Sequence, residues 1–293
     1  MTYVASERTV FGSRALAGIV AAFNTNKASW VGLVGFLAVV LVVVIAPLFG
    51  LQDPTEQDVF AKLGPPSAEH WFGTDYFGRD IFSRLIYGGQ ISLFIGFTST
   101  LIAMVAGSLI GMVAGWYGGR FDVVIMQAMD VLLAFPSLIL GLLIVAMLGP
   151  SIANIIWAIA LTSIPSFARI ARSPTIALKE REFVDACRAL GFSDMRIVLG
   201  HILPNIVPEI LVIASLWLGN AIRTEASLAF VGLSIKVPTP TWGGMIEEGF
   251  QQILDSVWIV LAPSLAILIV TFALNLLGDG LRDAVDPKLR GEG

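Results

Sequence analysis

Charge and sulfur are what this 293-residue sequence has least of. Asp, Glu, Lys and Arg together make up 14% of it, against roughly 25% in a typical soluble domain. That is too few to cover the surface of a water-soluble globule of this size. One cysteine, Cys187, excludes an intramolecular disulfide framework and an all-cysteine metal site. The two histidines, His70 and His201, lie far apart and form no HExxH pair. No Gly-Lys dipeptide occurs, so a Walker A phosphate loop is absent, and no GxSxG elbow is present either. A net charge of −4 argues against a nucleic-acid partner.

What the chain has instead is apolar length. Hydrophobic residues make up 56% and the mean hydropathy is +0.82. A helix crossing about 30 Å of hydrocarbon needs roughly 20 mostly apolar residues. Six stretches meet that length: Trp30–Phe49, Ser92–Gly115, Val124–Leu148, Ile152–Ile170, Val207–Ala229 and Trp258–Gly278. Lipid offers no partner for backbone polar groups, so the expectation is an all-α protein with six transmembrane helices. The first stretch reads as an uncleaved helix behind a tail, 1–29, whose Val10–Phe23 could lie along the membrane interface. Of the 18 Lys and Arg, thirteen fall on the side of the two termini. Four (Lys62, Arg79, Arg84 and Lys236) fall on the other, and Arg223 sits within the fifth stretch. The positive-inside rule then puts both termini in the cytoplasm.

Two connections are long for a compact membrane protein: an extracytoplasmic loop, 50–91, and a basic cytoplasmic segment, about 171–206. In the second, Ser173-Pro174 reads as a helix start and Gly191 as its stop, and Ser193 can cap a short second helix ending near Pro204. Phe183, Cys187 and Leu190 share one face of that helix. The pattern leaves two readings open, an amphipathic loop resting on the bilayer or a helix laid into a groove on a partner.

Asp185-Ala186-Cys187, followed at fixed spacing by Gly191 and Leu203-Pro204, resembles the EAA signature of ABC-importer permeases, with aspartate for glutamate and cysteine for the second alanine. Further runs resemble the C-type subunit of dipeptide/oligopeptide permeases. They are Gly73-Thr74-Asp75 with Gly78-Arg79-Asp80, the glycines from Gly115 to Gly119 before Arg120 and Asp122, and His201-Ile-Leu-Pro-Asn205. Glu225 to Leu233, Pro238 to Gly243 and Asn275 to Asp283 complete the set, so the resemblance covers the chain from about residue 30. It implies a type I ABC importer permease fold, with a core over 92–279 and a cytoplasmic tail over 280–293, in a bacterial or archaeal inner membrane. It also implies a subunit with no catalytic residue and no bound cofactor, ATP and Mg being held by two ATP-binding subunits. A second homologous permease and an extracytoplasmic solute-binding protein would complete the assembly. The coupling helix would run from Glu182 to Gly191. Asp185, Ala186 and Gly191 would be its contact and elbow positions, Phe183 and Leu190 its apolar anchors, and Leu203-Pro204 its far boundary. Di- and oligopeptides are the implied substrates, with nickel chelates, glutathione and oligosaccharides as alternatives.

Several residues stay open at this stage. Arg223 and Glu225, on different faces of the fifth helix, either make interfacial or interchain pairs or line a substrate cavity. Asp130 reads as structural. Gly107, Gly111 and Gly115 form a small-residue ridge, read first as packing within the chain. Pro136 and Pro165 are expected to bend their helices. Gly73–Asp80 reads as a turn-rich loop over the outer mouth, without calcium-loop spacing. Neither histidine is expected to be a ligand; His201 is expected to hydrogen-bond at the elbow. A secondary transporter is the rival from another mechanism class, but inverted repeats and midplane carboxylates are not evident. An intramembrane protease lacks its motifs.

Overall fold

The computed structural model describes residues 23, 24, 26–233 and 235–285, and the interfacial stretch expected before Phe23 and the tail beyond 285 lie outside them. Among the described residues the regular structure is all helical, and the one strand-like feature is an isolated bridge between Thr74 and Asp80. Helix α1 (Lys27–Ile45) is apolar from Trp30 onward and is capped by Asn26, whose side chain accepts from the Ala28 amide at 3.2 Å. A 3₁₀ turn, Ala46–Phe49, ends it. The chain then runs irregularly to Asp80 and enters α2 (Ile81–Tyr117), the longest helix in the fold. Then come α3 (Gly119–Ala134), α4 (Ser137–Leu148), α5 (Ile152–Lys179), the short α6 (Glu182–Ala189) and α7 (Asp194–Ile197), α8 (Leu203–Leu228), α9 (Trp242–Phe250) and α10 (Trp258–Val285).

Among the described residues, five helical runs are long and apolar enough to cross a membrane, and α3 with α4 makes a sixth as a pair bent by 86°. Pro136 is the break. Phe135 before it is extended (φ −88°, ψ 133°), the conformation that a following proline ring imposes. The expected single helix over Val124–Leu148 is therefore two. The expected start at Ser92 is also too late, because α2 begins at Ile81, capped by Asp80, whose carboxylate accepts from the Ser83 amide at 2.7 Å. Its first turns carry Arg84 and Gln90, which break the apolar run but not the helix.

Packing keeps other prolines helical. Ser173-Pro174 starts no helix; α5 runs on through both Pro165 and Pro174 to Lys179. Here α2 lies directly against α5. A Cβ placed on Gly111 would stand 2.0 Å from the Ala168 carbonyl oxygen, so only glycine permits that approach. Gly107 and Gly115 meet α5 likewise at Ile164, Phe167 and Arg172, which makes the ridge an intrachain seam. Pro204 ends no helix either. A π-turn over Val198–Ile202 shifts the hydrogen-bond register and feeds α7 into α8, with Pro204 in the first turn of α8, where its missing N–H costs little. Around these seams, Phe167, Val184, Ile197, Ile202 and Ile206 form a core at the α6 end of the bundle, and Val43, Ile222, Trp242 and Leu274 form another among α1, α8, α9 and α10.

Candidate functional site

Helix α6 follows α5 after only Glu180 and Arg181. It ends in a Schellman motif. The Phe192 amide donates to the Cys187 carbonyl at 3.0 Å, the Gly191 amide donates to the Arg188 carbonyl at 2.9 Å, and Gly191 takes φ +78°. The helix turns one narrow stripe inward, Val184 (0% exposed) and Cys187, onto the core that contains Ile197 and Ile202. Phe183, Asp185, Ala186, Leu190 and Gly191 are all exposed. The face expected to run through Phe183, Cys187 and Leu190 is thus divided: Cys187 belongs to the protein's own core, while Phe183 and Leu190 project outward. Leu203 is half-buried against the same core, and Pro204 is exposed. Arg188 pairs with Asp185 at 3.4 Å and lies over the Trp116 ring at 5.2 Å. The His201 ring stacks on Phe192, and the guanidinium of Arg196 lies 4.0 Å from the Phe192 centroid. The elbow is held by ring stacking where a histidine hydrogen bond was expected.

The Gly73–Asp80 motif lies at the other end and is built in the opposite way. Thr74, Asp75, Arg79 and Asp80 are buried. Thr74 Oγ1 accepts from the Gly64 amide at 2.8 Å and donates to the Ala61 carbonyl. One Asp75 oxygen accepts from the Phe77 and Arg79 amides, and the other receives Arg79 Nε at 2.6 Å. Arg79 also reaches Glu248 on α9, and Arg84 of α2 donates to the same carboxylate at 3.0 and 3.1 Å. Two arginines, each 1% exposed, are thereby balanced by two carboxylates. Asp80, besides capping α2, pairs with His70 Nδ1 at 3.0 Å. Gly78 is at φ +76°, and a Cβ there would fall 1.8 Å from the Asp58 carbonyl oxygen. The motif is a clasp between the loop, α2 and α9 more than an exposed turn. Arg84 and Glu248 are its members that the motif did not reveal. Arg84 could have been flagged as a cation near an apolar run, whereas Glu248, 169 residues beyond Arg79, carries no local signal.

In α8 the two charges part company. Glu225 is 1% exposed and accepts from Ser92 Oγ at 3.3 Å, and the same hydroxyl accepts from the Trp242 amide at 3.0 Å. It is closed in by α2 and α9, a buried tie among three elements, and not the cavity-lining residue considered beside Arg223. Arg223 is exposed and hydrogen-bonds to Asn220 one turn below it. Asp130 pairs with Arg169 across α3 and α5 at 2.5 Å, and Asp122 with Arg172 at 2.6 Å.

The model of the binding-protein-dependent transport system inner membrane component family matches residues 107–291, from the middle of α2 past the end of α10. The chain belongs to this family. As a permease of that type it is a multi-pass inner-membrane protein and the membrane subunit of a binding-protein-dependent ABC importer. The N-terminal transmembrane domain of oligopeptide transport permease C matches residues 16–66. A dipeptide transport system permease from Alkalihalophilus pseudofirmus is 44% identical over 265 residues, covering 90% of this chain and 87% of the relative. A probable D,D-dipeptide transport permease of Escherichia coli is 42% identical over 86% of this chain and 85% of the relative. A glutathione transport permease of Pectobacterium atrosepticum is 45% identical over 77% and 75%. Among solved structures, inward-facing MetNI methionine ABC transporter matches with a TM-score of 0.56 at 18% identity, over 70% of this chain and 98% of that one. It supports the type I importer permease fold.

Proposed function

We propose that this permease imports di- or oligopeptides into the cytoplasm, driven by ATP hydrolysis on two partner subunits that grip α6. The observation that carries the coupling role is the split of α6 into a buried and an exposed stripe. Val184 and Cys187 anchor it to the body of the permease, and Phe183, Ala186 and Leu190 stay free as an apolar face for a groove on a partner. With only Glu180 and Arg181 between them, α6 and α5 move together, so closure of the ATP-binding subunits can reorient the bundle as a rigid body. The carboxylate at 185, the small residue at 186 and the glycine at 191 stand at the exposed positions that such a groove would touch. Nucleotide and magnesium belong to the partners. A second permease of the same family completes the passage, and a solute-binding protein delivers the cargo at the end that carries the Gly73–Asp80 clasp. Arg223, exposed on a spanning helix, fits the passage between the two permeases.

The substrate class rests on the relatives: two are named for dipeptides and one for glutathione, all small solutes with amide bonds and charged ends. Co-expression with the neighbouring transport subunits, affinity purification in mild detergent and reconstitution test the whole reading. Recovery of a second permease and ATP-binding subunits, with ATP-dependent dipeptide uptake, is the expected result. Leu190→Asp should leave the chain in the membrane but release the ATP-binding subunits. Uptake by the chain alone without ATP would establish a secondary transporter in its place.

A further inference from the structure

Helices α1 and α10 meet tightly at one end and leave a groove at the other. Away from the clasp, a Cβ placed on Gly32 would stand 2.6 Å from the Ala273 carbonyl oxygen, so the two backbones touch. Toward the clasp, α1 leans on α2. Pro47 has no N–H to offer the Val43 carbonyl, and Gln90 Nε2 of α2 donates to that oxygen at 3.0 Å in its place. The Val43 side chain lies beside Gly89 of α2, next to Trp242. Between α1 and the first three turns of α10 this leaves a groove of about 440 Å³.

Ala38 and Val42 line it from α1, Ala262 and Ala266 from α10, and Phe72 and Trp242 from the loop and α9 of the clasp. None of its lining residues is charged, and the Trp242 indole N–H is already given to the Leu85 carbonyl at 2.9 Å. No ionisable residue occurs between Lys27 and Asp53, or between Asp255 and Asp279, so both helices carry the groove through hydrocarbon. The exposed side chains that continue from it, Leu41 on α1 and Leu268 on α10, are aliphatic, so it is continuous with a surface suited to the bilayer. From Trp258 to Ile269 it runs roughly 16 Å along α10, close to the depth of one leaflet, half of about 30 Å. Its volume spread over that length gives a channel about 6 Å wide. A helix with its side chains is about 10 Å across and cannot enter. A hydrocarbon chain, whose carbons touch their neighbours at about 3.5–4 Å, fits. At the clasp end the Trp71 and Phe82 rings meet with centroids 4.9 Å apart, and Trp71 and Trp258 are exposed, as aromatic residues are at a membrane–water boundary.

We propose that this groove holds one acyl chain of a phospholipid from the leaflet at the clasp end, held firmly enough to stay with the complex in detergent. The chain supplies the apolar packing that α1 and α10 do not give each other there. It also braces the clasp from the membrane side, because Phe72 and Trp242 are contacts in the loop and in α9. With no charge among the lining residues, the site selects a hydrocarbon tail and is indifferent to the headgroup.

The test uses the complete complex in membranes loaded with phosphatidylethanolamine that carries a diazirine on its acyl chain. The complex is purified and the detergent exchanged exhaustively before illumination, so that bulk lipid is gone and only retained lipid can react. Mapping of the adducts should place them at Ala262, Ala266 and Ile269 and not at Leu268, which lies on α10 outside the groove. Phosphatidylglycerol with the same tail should label equally well. Ala266→Phe should lower the labelling about tenfold or more, because the ring takes the space of several methylene groups. Leu268→Phe, which adds the same ring outside the groove, should not. Absence of groove adducts in the unsubstituted chain would overturn the proposal, whether or not the Ala266→Phe complex assembles. Undiminished labelling in an assembled Ala266→Phe complex would overturn it as well. So would a disulfide from Ala262→Cys to a cysteine on a second permease, which would show that a subunit covers the groove.

Discussion

The Gly73–Asp80 loop and the Glu182–Gly191 helix are both short, glycine-bounded and rich in charge, and both carry an Arg–Asp pair a single turn apart, yet they are built on opposite plans. In the loop, Arg79 and Asp75 are buried and shared with Arg84 and Glu248. In the helix, Arg188 and Asp185 stand in solvent and touch only each other and one ring. The first segment uses its charges to hold three elements together; the second leaves its charges and its Phe183 and Leu190 exposed. A motif signature marks both alike; burial separates them.

That contrast orders the expected effects. The largest belongs to Glu248→Ala, which leaves two buried guanidinium groups to share the single carboxylate of Asp75. Removing one side of a buried ionic cluster costs about 3–5 kcal/mol, and partial exposure of Glu248 puts the expectation near the lower end. Loss of folded complex, read by thermal unfolding in detergent and by membrane abundance, should follow. A Glu248→Ala complex as stable as the unsubstituted one would show that the clasp is not structural.

Next is Val184→Ala, inside the inward stripe of α6. Its side chain is fully buried on the core with Ile197 and Ile202, so the expected cost is about 1–2 kcal/mol from lost burial and an incompletely filled cavity. Gly191→Pro probes the elbow instead. A Cβ placed on that glycine would meet nothing within 4 Å, so space is free, but φ +78° is closed to proline. ATP-driven uptake should be abolished while the protein remains in the membrane, because the Schellman turn that fixes the exposed face is gone. Normal uptake by a well-folded Gly191→Pro variant would end the coupling role.

How much of this was readable in the sequence differs between the same two regions. Helix α6 was legible because its signals are local: a short amphipathic run, a glycine stop and small residues at fixed spacing. The start read at Ser173-Pro174 was not there, since that pair has the chemistry of a helix beginning yet lies inside α5, where Gly115 of α2 packs against Arg172 and Thr175. Proline shows the same ambiguity elsewhere. Pro136 breaks its helix, Pro165 and Pro263 do not, and no neighbouring residue distinguishes them. The clasp was half legible: Asp75, Arg79 and Asp80 stood out, but Glu248 joins them through tertiary structure alone. The inner face of α6 was misjudged because a three-residue stripe drawn through Phe183, Cys187 and Leu190 ignores Val184, the residue that lies fully buried.

Arg188→Ala gives the smallest effect and the sharpest comparison. It removes the same kind of partner as Arg79→Ala would, an arginine one turn from an aspartate. At the clasp, loss of Arg79 leaves Asp75 buried with its charge balanced only by Arg84 at 3.5 Å, and a loss of several kcal/mol follows. On α6, Asp185 stays in water whether or not Arg188 is there, and the stacking on Trp116 contributes about 0.5–1 kcal/mol at an exposed site. The pair itself adds about 0.3–0.5 kcal/mol, so unfolding should move by no more than about 1 kcal/mol in total. Measured side by side in the same detergent, the two alanine variants should differ in stability severalfold. Equal losses would mean that α6 is as firmly built into the permease as the clasp, and a helix so fixed could not serve as the face that a moving partner grips.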